Sequence, residues 1–223
     1  MYLCPVIHFK MIRVKDLGIR YGDQWILQNL SFEIPDGAKV AIRGESGSGK
    51  TSLLNALLGF VPPAAGQVYF DQTPLSPSTV DQIRRQTAYV PQELGFTVFP
   101  NLKTLFWRPF EFKANAGKKP SEEKIREVFA RFQLDYKLLN RPVKEVSGGQ
   151  KQRILLALAV LLDKPYIFLD EPTSALDKDN KNRVADYFFS LRDTVIAVTH
   201  DETWIERSTM VIDLDQIKKH IRS

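Results

Sequence analysis

The chain has 223 residues, 43% hydrophobic and 26% charged, proportions of a globular protein with one large α/β domain or one domain and a modest subdomain. Its formal net charge of +5 is spread along the sequence, which suits an anionic ligand and does not indicate a nucleic-acid partner. The lone cysteine, Cys4, excludes an internal disulfide framework and points to a reducing compartment.

Residues 1–10 lack the basic start and apolar run of a signal peptide. Met11–Asp16 alternates apolar and polar side chains and predicts a strand. Leu30–Ile34 reads the same way and ends at the turn signal Pro35-Asp36-Gly37. Lys39–Arg43 is a short strand that runs straight into a glycine-rich loop. Ser52–Leu58 then predicts a helix, stopped by Gly59 and Pro62-Pro63. Gln67–Phe70 and Thr87–Val90 are further strands, the second ended by Pro91.

After Gln92 the pattern becomes helical. Ser121-Glu122-Glu123 opens one helix with an N-cap candidate and acids in the first turn. Another runs from about Gly149 to Leu162. Its apolar stretch, Ile154–Leu162, is nine residues long, far below the ~20 that cross a bilayer, so a soluble or peripheral protein is expected. Strands return at Tyr166–Asp170, Thr194–Val198 and Met210–Leu214, with a helix over Asp179–Leu191. Strand–helix–strand order predicts a mainly parallel sheet. The expected organisation is an α/β core, about 1–92 and 154–223, interrupted by a helical insertion, about 93–153.

Two stretches of this frame carry chemistry. Gly44-Glu45-Ser46-Gly47-Ser48-Gly49-Lys50-Thr51 matches the phosphate-loop pattern G-x-x-x-x-G-K-[ST], with a strand before it and a helix opening at Ser52. Glycines let the backbone N–H groups wrap a polyanion, and the helix N-terminus adds its positive dipole end. Lys50 is a cation for the β- and γ-phosphates; Thr51 offers a hydroxyl to Mg²⁺, which prefers oxygen. The second stretch, Tyr166-Ile167-Phe168-Leu169-Asp170-Glu171, is an apolar strand ending in two acids. Ligands of open α/β sheets bind at such carboxyl ends. Asp170 is the candidate for Mg²⁺ and Glu171 the candidate general base.

Ser147-Gly148-Gly149-Gln150 narrows the class, for it resembles the signature Leu-Ser-Gly-Gly-Gln of the ABC (ATP-binding cassette) ATPases, with Val146 in place of the leucine. Other family motifs follow in order. Tyr21 resembles the aromatic that stacks on adenine. Gln92 resembles the Q-loop glutamine that senses Mg²⁺. Ser174-Ala175-Leu176-Asp177 resembles the D-loop, and His200 the switch histidine that contacts the γ-phosphate. His8 and His220 have no such context.

The resemblance implies a P-loop NTPase (RecA-like) core with an N-terminal antiparallel β subdomain and a helical insertion. It implies ATP and Mg²⁺ as ligands and ATP hydrolysis as the activity. The binding set is Tyr21, Gly44–Ser52 and Ser147–Gln150; the metal set is Thr51, Gln92 and Asp170; the catalytic set is Glu171, His200, Gln92 and Lys50. The site would be shared head to tail in an ATP-dependent homodimer, or a heterodimer with another such subunit.

For the coupled work, the resemblance is nearest to ATP-binding subunits of transporters, paired with separate membrane subunits and cytoplasmic on the inner face of the membrane. A soluble ABC ATPase of iron–sulfur assembly is the alternative. The compact length and the stretch 99–112 also resemble small bacterial export ATPases, while import stays open. Phe96, Phe99, Phe106, Trp107, Phe110 and Phe112 place six aromatics within seventeen residues. They form either the core of a small helical subdomain or an apolar cleft for a short helix of the membrane subunit.

Overall fold

The computed structural model describes residues 11–92, 99 and 101–217. Cys4, His8, Phe96 and His220 lie outside the described residues.

The chain opens with a hairpin, β1 (Met11–Tyr21) and β2 (Gln24–Pro35), completed by β4 (Ala65–Phe70) and β5 (Thr73–Pro74) into an antiparallel sheet of order β2-β1-β4-β5. Both hairpin strands are longer than their alternation predicts. Bulges between Val14 and Leu17 and between Leu17 and Ile19 shift the register, so Leu17, Gly18 and Ile19 are buried in succession and the period of two is lost. At the bulge Asp16 takes a positive φ of 49°. Opposite it, Gly66 has φ +71°, and a Cβ there would collide with the Asp16 carbonyl.

The second sheet is parallel throughout, with order β6 (Thr87–Val90), β7 (Tyr166–Asp170), β8 (Thr194–Val198), β3 (Lys39–Arg43), β9 (Met210–Asp213). β7 and β8 are buried at every position, as strands covered on both faces must be. Alternate residues feed two cores. Ile167, Leu169, Val195 and Ala197 join the helices of the insertion. Phe168, Ile196, Val40 and Ile42 join α1 (Lys50–Leu57) and the antiparallel sheet. The insertion therefore shares its core with one face of the parallel sheet.

That insertion holds α3 (Leu102–Glu111) and α4 (Glu122–Arg131), and it runs into α5 (Gly148–Leu161), a single helix that crosses residue 153 without a break. Ser121 caps α4 as expected, its hydroxyl accepting from the Lys124 N–H at 3.2 Å. After β7 come α6 (Lys178–Ser190) and, past β8, α7 (Glu202–Arg207). Two short helices, α2 (Val80–Arg84) and α7, lie where the sequence predicts no element; Arg84 ties α2 to the end of α1 through the Leu58 and Gly59 carbonyls at 3.1 and 2.8 Å.

The aromatic run divides between two roles. Phe106 and Phe110 are core, and Trp107 packs edge-on against Phe106 with Lys119 over its face at 4.7 Å. Phe99 and Phe112 instead line an apolar groove of about 400 Å³, together with Tyr89, Val90, Pro109, the α5 residues Leu155 and Leu158, and Leu162 just past its end. Trp107 does not line it.

Candidate active site

The strand order sets β3, β8 and β7 side by side. Their carboxyl ends deliver Gly44, Thr199-His200 and Asp170-Glu171 to one edge of the sheet, where an α/β crevice forms. A cavity of about 610 Å³ opens there, a size suited to a nucleotide. Its walls include Ser46, Gly47, Gly49, Lys50, Thr51 and Ser52 from the loop and α1, Asp170 and Glu171 from the end of β7, and Gln92 and His200. Ile26, Ser174 and Val198 also line it, and none of these three was singled out as a cavity residue from the sequence.

The loop is built to receive an anion. α1 begins at Lys50, two residues before the expected Ser52, because Gly49 serves as its N-cap at φ 101°. No side chain caps the helix, so its first N–H groups are open to a ligand. Lys50 Nζ donates to the Gly44 and Glu45 carbonyls at 2.8 and 3.0 Å, curled over the loop where phosphate oxygens would compete for it. Gly44, Glu45 and Ser48 do not line the cavity. The Glu45 N–H donates to Asp215 Oδ2 at 2.8 Å, and Arg43 pairs with Asp213 at 2.8 Å, so the end of β9 anchors the loop's base.

Asp170 is 3% exposed, and its Oδ2 lies 3.5 Å from Thr51 Oγ1. Burial pushes its carboxyl pKa up, with the Thr51 hydroxyl and the Lys50 ammonium pulling the other way. A buried carboxylate beside a hydroxyl is a pair of hard oxygen donors short of positive charge. That set fits Mg²⁺, which takes one or two protein oxygens and draws its other ligands from phosphate and water. Gln92 lines the same cavity, and its side-chain carbonyl could offer a third oxygen.

Glu171 stands in the left-handed region at φ 49°, an uncommon conformation for a residue with a side chain. Its N–H donates to the Val198 carbonyl at 2.9 Å, locking it to β8. Its carboxylate is 17% exposed and lies 3.5 Å from His200 Nε2. Burial raises its pKa, opposed by His200 and Lys50 and reinforced by Asp170.

Two groups of expected ligands lie away from the cavity. Tyr21, at the hairpin tip, is 49% exposed and does not line it. Ser147–Gln150 forms the start of α5 and faces elsewhere. There Ser147 Oγ accepts from the Gln150 N–H at 3.2 Å while Gln150 Oε1 accepts from the Ser147 N–H at 3.1 Å, a capping box. The serine hydroxyl still has its proton to donate, and the N–H groups of Gly148 and Gly149 belong to the open first turn.

The model of the family described as ABC transporter matches residues 27–174. The probable iron export ATP-binding protein FetA of Escherichia coli K12 is 31% identical over 211 residues, which span 92% of this chain and 91% of that protein. The transport/processing ATP-binding protein ComA of Streptococcus pneumoniae R6 is 34% identical over 209 residues, 92% of this chain but 29% of ComA. A putative ABC transporter ATP-binding protein of Treponema denticola is matched over 38% of its length, so the chain spans about a third of each of these two longer relatives. Among solved structures, a dimeric ATP-binding cassette in a post-hydrolysis state with ADP and Pi superposes with a TM-score of 0.77 at 27% identity, covering 91% of this chain and 93% of that one. A bacterial Atm1-family ABC exporter with ATP bound shares the fold at a TM-score of 0.81 and 23% identity, over 94% of this chain and 38% of that one.

Proposed function

The chain belongs to the ABC transporter family, and on that premise we propose that it is the ATP-hydrolysing subunit of a transporter, closing head to tail on a second copy around MgATP. The observation that carries this reading is the separation of the two anion sites. Lys50, Thr51, Asp170, Glu171 and His200 converge on one cavity, whereas Ser147–Gln150 presents a second helix start outside it. Each half is incomplete by itself, and a second copy supplies the other.

Phosphoryl transfer needs mainly positioning and charge stabilisation. The open N–H groups of α1 and the Lys50 ammonium bind the β- and γ-phosphate oxygens. Thr51, Asp170 and Gln92 would hold Mg²⁺, which when bound neutralises phosphate charge. Glu171 takes the proton of the water that attacks the γ-phosphorus; burial makes it a stronger base than an exposed glutamate. His200 orients the Glu171 carboxylate and donates to a γ-phosphate oxygen. Tyr21 stacks on adenine from the hairpin tip. Ser147 and the Gly148 and Gly149 N–H groups grip the γ-phosphate held by the partner, with Gln150 fixing their helix start.

The likeness to FetA along nearly the whole of both chains supports placing the cargo's path in separate membrane subunits, with this chain working on their cytoplasmic side; among the described residues no helix is long and apolar enough to cross a membrane. The groove lined by Phe99, Phe112 and Pro109 is the dock for a short helix of such a subunit. Export is the direction this reading takes, from the likeness to the iron export protein along nearly its whole length.

The test is Glu171→Gln, which keeps shape and hydrogen bonding but cannot accept the water's proton. The variant is expected to lose turnover and to elute as a dimer with ATP and as a monomer without it. Normal hydrolysis by this variant would remove Glu171 from the base role, and an ATP-bound monomer would remove the shared site.

A further inference from the structure

We infer that Gln152 is a positioning residue for the general base, holding the Glu171 backbone to the helix whose first turn carries Ser147–Gln150. The inference rests on the ATPase reading above and goes beyond it to a residue that belongs to none of the motifs.

Gln152 is a polar side chain in a helix otherwise buried by Ile154, Leu155, Leu156 and Leu158, and it is itself only 8% exposed. Burying an amide is unfavourable unless its donors are used. Its Nε2 donates to the Glu171 carbonyl oxygen at 3.2 Å. The Ser174 hydroxyl donates to the same oxygen at 3.0 Å, but Ser174 belongs to the same loop and cannot fix that loop to anything else. Gln152 is the link to a separate element.

The residue it holds has little backbone freedom to spare. Glu171 sits at φ 49°, and a side-chain-bearing residue stays in that region only when its surroundings over-determine it. On one side the Glu171 N–H is tied to Val198 at 2.9 Å. On the other the carbonyl is tied to Gln152. Rotation of this peptide would swing the carboxylate away from His200 and from the position of an attacking water.

The start of α5 is itself firmly set against the same loop. A Cβ on Gly149 would lie 3.0 Å from the Ala175 carbonyl oxygen, so backbone meets backbone there. One turn on, Arg153 donates to the Phe132 carbonyl at 2.9 Å and to Asn180 Oδ1 at 2.8 Å, fastening α5 to the end of α4 and the start of α6. Gln152 thus transmits the position of a well-braced helix start to Glu171. When the first turn of α5 takes hold of a phosphate bound by a second copy, the base of its own site is positioned by the same helix.

The experiment compares Gln152→Met, which keeps the volume and removes the donor, with Gln152→Glu, which keeps the shape and turns an acceptor toward the carbonyl. Steady-state MgATP hydrolysis, binding of a fluorescent ATP analogue and thermal melting are measured on the full chain. Turnover by the wild-type protein tests the ATPase reading separately, so its absence would fall on that reading. The expected result is a kcat about five- to tenfold lower in both variants, the scale of one lost hydrogen bond. KM and analogue affinity stay within about twofold of wild type, because no contact with nucleotide is removed. A folded Gln152→Met with wild-type kcat overturns the inference, as does a raised KM with kcat unchanged. If Gln152→Met does not melt cooperatively, Gln152→Glu decides on the same readouts.

Discussion

At the scale of single residues, the site holds two carboxylates whose burial costs stability and gains chemistry. Asp170 shows this most clearly. Burial raises its carboxyl pKa in the folded state, with Thr51 and Lys50 offsetting part of the effect. The native protein therefore holds more protons than the unfolded chain between the ordinary carboxylate pKa and the raised one, and stability falls as pH rises through that window. At neutral pH the full cost is present. Asp170→Asn removes the charge and is expected to raise the melting temperature of the nucleotide-free protein at pH 8, with the gain shrinking as pH falls through the carboxylate range. Paired melting curves at several pH values check this; a lower melting temperature for the variant at pH 8 would contradict it. With MgATP the order reverses, because the wild-type carboxylate then has the metal to meet.

Among secondary-structure elements, the groove between β6, α3 and α5 is the feature most exposed to test. Phe112 is 55% exposed on its rim and lies 5.8 Å from the Arg108 guanidinium. Truncating so exposed a ring changes stability little, on the order of 0.5 kcal/mol. Phe112→Ala is therefore expected to keep ATP binding and melting while losing co-purification with the proposed membrane subunit. Retained co-purification would return the groove to the role of a subdomain cleft. How far such elements were legible in advance depended on their burial. β3, β6, β7 and β8 matched their predicted bounds, since short runs rich in apolar residues, beside glycine or proline for the first three and between charged or polar residues for β8, leave little choice. β1 and β2 outran theirs because the bulge at Asp16, made possible by Gly66, breaks the alternation on which the prediction depends. α2 has five residues, too few to show a helical period. The six aromatics could not be divided in advance, because which ring faces the core depends on how α3 rotates against α4 and α5.

For the whole molecule, the phosphate loop, the acidic strand end and the signature were each readable as local strings. The convergence of the first two was not, because it depends on the strand order that brings β3, β8 and β7 together. Gln152 and Asp215 carry no motif at all; each acts by reaching a backbone atom far away in sequence, and only the fold brings those atoms near. The same fold leaves the signature outside its own chain's cavity, and that separation makes association the central claim. It is tested most directly by the specific ATPase activity of the isolated chain at saturating MgATP over a wide range of protein concentrations. A shared site predicts activity per chain that rises with concentration and then levels off as dimers fill. Constant activity per chain, from a protein shown to stay monomeric throughout, would contradict it.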